Sequence, residues 1–232
     1  MDHVSGGGAA AEFPGLAGAV MGPDSPRRPN GIYLMRFRNL PGQPPAKDFL
    51  RGYGYQGGGS TGLRGNAPGF GAAYKSALRE TATTFSFGGF GECLPYADNH
   101  VAIDRDVVDA WGIPVLRVSM RWHDNERTMR RDMALQAAEM LEAMGGTRIQ
   151  SRLNDKQVPG YGIHEVGTAR MGADAKTSVL NQFQQAHDVK NLFVTDGAGF
   201  PSIACQNPTL TIMALTVRSC DYRLEQLRSG SL

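Results

Sequence analysis

Several features that define common protein classes are missing from this 232-residue sequence. No apolar run approaches the roughly 18 residues that a membrane-spanning helix needs. Acidic and basic residues nearly balance, at 22 and 24, so no surplus of positive charge predicts a nucleic-acid or anionic-lipid partner. The first 15 residues lack the basic and apolar segments of a secretory signal. We therefore expect a globular protein that neither spans a membrane nor binds nucleic acid.

Cysteine is also scarce. Cys93, Cys205 and Cys220 are odd in number and widely spaced, so by themselves they form neither a disulfide framework nor a zinc site. Cys205 and Cys220 lie in an apolar region and are expected to be buried. This usage favours a reducing compartment. We predict a cytoplasmic location, with the periplasm as the alternative if a preceding segment carries a signal.

What the sequence does contain is much glycine and proline, 30 and 13 residues, which predicts many loops. Residues 1–30 show neither helical nor strand periodicity, and residues 57–71 are predicted to be a glycine loop. Alternating or β-branched apolar residues predict strands in 31–40, 48–57, 81–90, 100–104, 114–121 and 147–153. Helical spacing predicts a long helix from Asn125 to Met144 that ends at Gly145. The predicted fold class is α+β, a mostly antiparallel sheet with packed helices.

A second long helix is predicted to open at Asn207 and Pro208, because asparagine is a favoured N-cap and proline fits the first helical position. Its predicted apolar stripe consists of Leu210, Met213, Ala214, Val217, Leu224 and Leu227.

Two partial motifs are rejected. Gly52–Gly57 matches G-x-G-x-x-G, but the sequence runs on into more glycines that cannot open the helix a dinucleotide site requires. His164 and Glu165 begin like H-E-x-x-H, yet Thr168 stands where the second histidine ligand belongs. The other four histidines lie in separate segments without ligand spacing, so no metal site is predicted.

His164 opens the loop HEVGTARMG, in which glycines let the backbone approach a ligand closely. Further along the chain, the helix start at Asn207 presents unpaired N–H groups and partial positive charge, which suit anionic groups. From the residues alone, His164 is either a structural or a functional histidine. Asn207 likewise either caps its helix or directs its amide toward a ligand.

Four segments occur in order in the last third of the chain: HEVGTARMG, SVLN, NLFVTDGAGFP and NPTLTIMALTVRSCDY. Together they resemble the C-terminal signature of the glucose–methanol–choline (GMC) flavoprotein oxidoreductases. The resemblance is closest to the branch of sugar oxidases that includes pyranose-oxidase-like and glycoside 3-oxidase enzymes. FGGFGECLPYADN and VAIDRDVVDAWGIPVLRVSM also look like this branch's substrate domain. The resemblance therefore covers most of the chain.

The resemblance implies FAD as cofactor and assigns roles to individual residues. His164 matches the catalytic base, which takes the proton of the substrate hydroxyl while hydride passes to the flavin. Asn207 matches the second catalytic position, where its amide would hydrogen-bond the substrate oxygen. Asp196 and Gly197 match the turn beside the ribityl-phosphate side of FAD. Asn207, Pro208 and Thr209 match the helix start that faces the flavin pyrimidine, where positive helix-end charge stabilises reduced flavin.

One part of the family pattern is absent, because the strand–turn–helix unit that binds ADP near the N-terminus of longer family members does not occur here. The resemblance thus implies the C-terminal portion of a longer enzyme whose N-terminal FAD-binding portion, a Rossmann unit, is missing. Residues 1–30 would be an irregular lead-in from the truncated flavin domain. Residues 31–158 would form the substrate-binding domain, and 159–232 the flavin-proximal segment with His164 and Asn207.

The implied activity is FAD-dependent oxidation of a small-molecule alcohol, most closely a sugar hydroxyl, to the carbonyl. The sequence does not fix the electron acceptor. One alternative is a non-catalytic fragment or carbohydrate-binding module that cannot hold FAD. Another is a metal-dependent hydrolase that uses His164 and acidic neighbours, against which the missing second histidine ligand weighs.

Overall fold

The structure is a computed structural model that describes residues 1–16, 31–36, 38–46, 48–63 and 69–232. The strands are β1 (His3–Val4), β2 (Gly7–Glu12), β3 (Gly31–Leu34), β4 (Tyr53–Leu63), β5 (Thr81–Glu92), β6 (His100–Val108), β7 (Pro114–Ser119) and β8 (Thr147–Leu153). The helices are α1 (Gly71–Arg79), α2 (Asp124–Ala143) and α3 (Thr209–Ser229), with short 3-10 turns at Pro14–Leu16 and Gly197–Gly199. In the described part of the chain, no helix is both long and apolar enough to cross a membrane.

The chain divides into two compact units, each assembled from separate stretches. The first unit consists of Met1–Val4, Gly91–Glu126 and Gln157–Leu232, and the second of Ser5–Phe90 and Arg127–Lys156. These units differ from the sequential segments 1–30, 31–158 and 159–232 predicted from the sequence. The reason is that strands near the N-terminus pair with strands far along the chain, so sequence proximity does not define the units.

The second unit is built on a sheet with the strand order β3-β4-β5-β2-β8. β2 pairs antiparallel with both β5 and β8, and β3 pairs antiparallel with β4. Helix α2 packs on this sheet through the buried Met133, whose Sδ would lie 2.5 Å from a Cβ at Gly89. The hydroxyl of Tyr55 donates a 2.6 Å hydrogen bond to the carbonyl of Met133. A mostly antiparallel sheet with a long helix packed on it is therefore confirmed.

The first unit holds the antiparallel pair β6-β7, the helix α3 and the loops between residues 157 and 208. β1 pairs with the end of β5, where His3 faces Glu92 and Val4 faces Gly91. A hydrophobic cluster joins the loops to α3, and its members are Val166, Phe200 and Ile203, with Met1, Ile212 and Leu215 packed against them.

Where the sequence carries a clear period, its predictions hold. α2 runs from Asp124 to Ala143 and is followed by Gly145, which adopts φ 86°, and β8 covers the predicted 147–153. Glycine-rich stretches were predicted wrongly as irregular, because β2 falls in the expected lead-in and β4 continues through the expected glycine loop to Leu63. Helix α1 was not predicted, and β6 extends beyond 104 to Val108. Residues 17–30 of the expected lead-in lie outside the described residues.

Two predictions about the C-terminal region need correction. The face of α3 that packs in its unit carries Ile212, Leu215 and Ser219, whereas most of the predicted apolar stripe is exposed. Leu210 and Val217 are 78% and 62% exposed because they project from the opposite side of the helix. Cys205 is buried as expected, but Cys220 is exposed.

Candidate functional site

The loop that contains His164 is held by backbone hydrogen bonds to the turn at Gly197–Gly199. The amides of Gly167, Ala169 and Met171 donate to the carbonyls of this turn at 3.2, 2.9 and 2.8 Å. Their acceptors are, in the same order, Gly197, Ala198 and Gly199. Each bond joins residues about thirty apart in sequence, and the two segments connected in this way form one frame. The segments HEVGTARMG and DGAG, which the sequence singles out separately, are thus adjacent.

Asp196 and Gly197 shape the turn in different ways. The carboxylate of Asp196 accepts a 2.8 Å hydrogen bond from the amide of Ala198, which caps the short 3-10 turn, while the side chain remains exposed. Gly197 is buried, and a Cβ there would lie 3.1 Å from Cγ1 of Val166. Glycine therefore allows the turn to approach the His164 loop closely.

Helix α3 is attached to the same frame. Its assigned start is Thr209, two residues after the predicted Asn207, but Pro208 already has helical angles (φ −85°, ψ −14°). The carbonyl of Pro208 accepts a 2.9 Å bond from the amide of Ile212, and no side chain caps the helix at Pro208. Thr216 donates from Oγ1 to the carbonyl of Thr195 at 3.0 Å. This bond connects the eighth residue of α3 to the residue directly before the DGAG turn.

A cavity of about 490 Å³ lies beside the frame, within the size range of small-molecule sites. The His164 loop contributes Glu165, Val166 and Thr168, and the turn contributes Asp196, Gly197 and Ala198. Strands β6 and β7 add apolar lining residues, among them Val101, Leu116 and Val118. Glu165 and Asp196 are the carboxylates of the lining. Carboxylates accept hydrogen bonds from hydroxyl groups and repel phosphates, so the cavity suits a neutral, hydroxyl-rich ligand.

His164 is half-buried and lies against a second histidine. Nδ1 of His164 is 2.9 Å from Nδ1 of His3, and the two rings meet edge to face with centroids 4.8 Å apart. His3 is 1% exposed. Burial, and to a lesser degree His164, lowers the pKa of His3 to about 4, so His3 is neutral at physiological pH.

The backbone that precedes His164 is braced by Asp2. Its carboxylate accepts hydrogen bonds from the amides of His3 and Gly162, both at 2.7 Å. Burial raises the pKa of Asp2, and these amide donors lower it to a smaller extent. Ile163, directly before His164, has φ 57°, a left-handed conformation that is rare for a β-branched residue. The position of His164 is thus set by its surroundings and not by the loop alone.

The structure brings some predicted site residues together and leaves others as predictions. His164 and the Asp196–Gly197 turn share one frame, and the cluster of Val166, Ile203 and Ile212 ties that frame to the start of α3. Pro208 is buried, whereas Asn207 and Thr209 are exposed. The approach of the Asn207 amide to His164 stays a prediction. Sequence reasoning missed His3 and Asp2, since no local pattern connects them to a loop 160 residues away.

FAD can be tested against the residues present. The turn with an exposed carboxylate and the cavity with two carboxylates fit the hydroxyl-bearing part of a flavin cofactor or a sugar, and do not fit its phosphates. Among the described residues, no group of three or more His, Cys, Asp or Glu side chains is arranged to hold a metal ion.

Comparison with known proteins identifies related sequences. Residues 95–216 match the family described as GMC oxidoreductase. A 2-methyl-1,2-propanediol dehydrogenase from Mycolicibacterium austroafricanum is 35% identical over 76% of this chain and 33% of its own length. A gluconate 2-dehydrogenase flavoprotein from Pantoea cypripedii is 32% identical over 68% of this chain and 27% of its own. A C-glycoside 3-oxidase from Arthrobacter globiformis is 30% identical over 58% of this chain and 26% of its own length. The chain thus spans about a third or less of the length of these curated relatives.

Proposed function

This chain belongs to the GMC oxidoreductase family, and from that premise we propose that it is the C-terminal portion of an FAD-dependent enzyme that oxidises a sugar hydroxyl to the carbonyl. The observation that carries the proposal is the frame of three backbone hydrogen bonds between the His164 loop and the Gly197–Gly199 turn. Both segments line one cavity, and its lining includes Glu165, the residue next to His164, but not His164 itself. In this proposal the substrate occupies that cavity. The family acts on alcohols, and the relatives' names extend that to diols and sugar derivatives.

In this proposal His164 is the general base. FAD, when bound, supplies the acceptor for the hydride that leaves the substrate carbon. Nδ1 of His164 is engaged by His3, which leaves Nε2 to take the hydroxyl proton of the substrate. Asn207 would donate from its amide to the substrate oxygen, because an amide cannot act as a base.

The residues proposed to hold FAD are Asp196, Gly197, Asn207, Pro208 and Thr209. The free oxygen of the Asp196 carboxylate can accept a hydrogen bond from a ribityl hydroxyl, while its partner oxygen caps the turn. The amides of the first turn of α3 have no partner within the helix and no acidic side chain among them, so they can receive an electron-rich edge of the flavin.

The two carboxylates and the apolar walls of the cavity support a sugar or polyol as substrate. Glu165 and Asp196 offer acceptors to several hydroxyl groups, and the apolar residues of β6 and β7 offer a surface for the faces of a sugar ring. The cytoplasmic location stays a prediction.

A second candidate is a fragment that cannot hold FAD and has no activity by itself. It is favoured by the length of the chain, which is about a third or less of that of its relatives. It is also favoured by the exposed apolar side chains of α3, because a self-sufficient domain buries such a surface.

Reconstitution with FAD separates the two candidates. The chain is titrated with FAD, binding is followed by quenching of flavin fluorescence, and the loaded protein is mixed anaerobically with a panel of diols, gluconate and glycosides. Saturable binding followed by bleaching of the oxidised-flavin absorbance with one of these alcohols supports the proposed enzyme. Failure to bind FAD supports the inactive fragment, and activity would then require the missing FAD-binding portion.

His164→Ala should reduce the rate of flavin reduction in the FAD-loaded protein by about 10²- to 10⁴-fold, because the substrate hydroxyl then has no base. FAD content should be nearly unchanged, since His164 is not among the residues proposed to hold the cofactor. His187→Ala is a matched control, because His187 bonds Ser178 and not the frame. A wild-type rate of flavin reduction in His164→Ala would refute the base assignment.

A further inference from the structure

His3 is a buried histidine whose only role so far is its contact with His164. It lies on β1, opposite Glu92 in the ladder with β5, and is 1% exposed. Its Nδ1 is 2.9 Å from Nδ1 of His164, which is hydrogen-bond distance. Both residues belong to the same compact unit.

The contact restricts where the protons of the two rings can reside. A hydrogen bond between two ring nitrogens contains one hydrogen, so one Nδ1 donates and the other accepts. If Nδ1 of His3 donates, neutral His164 carries its hydrogen on Nε2 and has no lone pair there for a substrate. If Nδ1 of His164 donates, its Nε2 is bare and can take a proton. Only the second arrangement is compatible with a base.

We propose that His3 is a positioning residue whose Nδ1 accepts a hydrogen bond from the Nδ1–H of His164 and so holds His164 in the tautomer with a bare Nε2. This inference rests on the proposed function, in which His164 is the base. After His164 takes the substrate proton, its ring donates from both nitrogens, and the same bond to His3 still fits. No rearrangement is therefore needed during the proton transfer.

The electrostatics of His3 exclude a competing state, a doubly protonated His3 that would donate from both of its nitrogens. Burial lowers the pKa of His3 to about 4, so at neutral pH His3 carries no proton beyond the single hydrogen of a neutral ring. A neutral acceptor places no positive charge beside the imidazolium that forms on His164. His3 thereby occupies the position that a carboxylate has beside the histidine of hydrolase triads. Because His3 is neutral, it stabilises the imidazolium of His164 less than a carboxylate would.

The backbone around the pair keeps the two rings in place. The amide of Val166 donates to the carbonyl of Met1 at 2.9 Å, so the chain just before His3 is tied to the chain that follows His164. Asp2 holds the amides of Gly162 and His3 with one carboxylate. Three hydrogen bonds that do not involve the rings therefore hold the backbone next to both histidines.

The tautomer of His164 can be measured directly in the chain without flavin. Long-range ¹⁵N–¹H correlation spectra of histidine-labelled protein distinguish Nδ1–H from Nε2–H rings, and His164→Gln identifies the signals of His164. We expect the Nδ1–H form of His164 in the wild type. His3→Phe, which removes the acceptor, should shift His164 to the Nε2–H form, whereas His3→Asn, whose Oδ1 stands near the place of Nδ1, should retain Nδ1–H. His187→Phe should change nothing at His164.

An Nε2–H ring at His164 in the wild type, or an unchanged tautomer in a folded His3→Phe, would overturn the proposal. If His3→Phe does not fold, the wild-type and His3→Asn spectra still decide, because both must then show Nδ1–H.

In FAD-loaded protein, His3→Phe should lower kcat by about 10- to 100-fold with little change in KM, and His3→Asn should restore most of it. A defect confined to KM or shared equally by His3→Asn would contradict a tautomer role. Failure of the base assignment would appear separately, as wild-type flavin reduction in His164→Ala with the tautomer as expected.

Discussion

At the scale of single residues, the backbone beside the candidate base is held in an unfavourable conformation. Ile163 has φ 57°, and such a conformation costs on the order of 1–3 kcal/mol for a residue other than glycine. Asp2 opposes that cost with bonds to the two amides of Gly162 and His3. The loop can therefore present His164 at a fixed position although its own sequence does not favour the geometry.

The buried His3 should make stability depend on pH. Its folded-state pKa of about 4 is below the ordinary 6.5, so between these values the unfolded chain binds a proton that the folded chain does not. The titration of His3 alone should then lower the free energy of unfolding by about 3 kcal/mol as the pH drops from 6.5 to 4. Asp2, with a raised pKa, acts in the opposite direction, since its contribution falls as pH rises above 3.8.

Comparison of the wild type with His3→Asn isolates the histidine contribution, because Asp2 is present in both proteins. Urea unfolding followed by circular dichroism should show that the free energy of unfolding of the wild type falls relative to that of His3→Asn as the pH drops from 6.5 to 4. Curves that run parallel from pH 7 to pH 4 would contradict the lowered pKa of His3.

At the scale of elements, glycine explains why β2 and the second half of β4 were not predicted. A Cβ at Gly8 would lie 2.2 Å from the carbonyl oxygen of Phe87, and one at Gly57 would lie 2.1 Å from that of Ser86. These strands need glycine to approach their neighbours, yet glycine adds nothing to an apolar period. By contrast, α2 and β5 carry regular apolar or β-branched spacing, and both were predicted within about two residues. The α3 stripe was identified as apolar, but spacing alone could not show which side of that helix is packed.

The site was predictable to the extent that its parts are local motifs. His164, Asp196 and Gly197 stand in recognisable segments, so the resemblance located them. The partnership of His164 with His3 joins residues 161 apart, and the strand β1 that carries His3 pairs with the end of β5, about 90 residues along the chain. Local periodicity contains no information about such long-range pairing.

Gly7 should be intolerant of a side chain, because α2 lies directly over it. An alanine Cβ would lie 2.3 Å from the carbonyl oxygen of Arg130 and 2.9 Å from Cβ of Met133. Gly7→Ala should therefore push the helix from the sheet and lower the free energy of unfolding by about 1–3 kcal/mol in urea titrations. Gly15→Ala is the control, because no heavy atom lies within 4 Å of its Cβ position and the change should stay within about 0.5 kcal/mol. Equal stability of the two variants would show that α2 does not pack as described.

At the scale of the whole molecule, the outer face of α3 is more apolar than a solvent-exposed helix requires. Leu210, Met213 and Val217 are each at least 60% exposed and lie at helical spacing. Under the proposed function, an FAD-binding portion of the longer family polypeptide is the expected partner of this face, since the chain spans about a third or less of its relatives' length. The same face explains why the sequence predicted a packed stripe there.

Replacing Leu210, Met213 and Val217 together with glutamine should reduce self-association of the 232-residue chain in light scattering, because the exposed apolar surface is removed. The same triple variant should lose co-purification with a co-expressed FAD-binding portion from a GMC relative. Replacing Arg223, Glu225 and Arg228 with glutamine, on exposed positions of the same helix, is the matched control. Unchanged co-purification of the apolar-face variant would refute the assignment of this face.

The interleaving of the two compact units also constrains how such a protein can be dissected or rearranged. The polypeptide crosses from one unit to the other four times, after Val4, Phe90, Glu126 and Lys156. A single protease cut or gene-fusion junction therefore cannot liberate either half intact. A break after Val4 would separate the short N-terminal stretch that carries His3 from His164. Truncation libraries that trim only the start of the chain would likewise remove the partner of the proposed base and leave its loop in place.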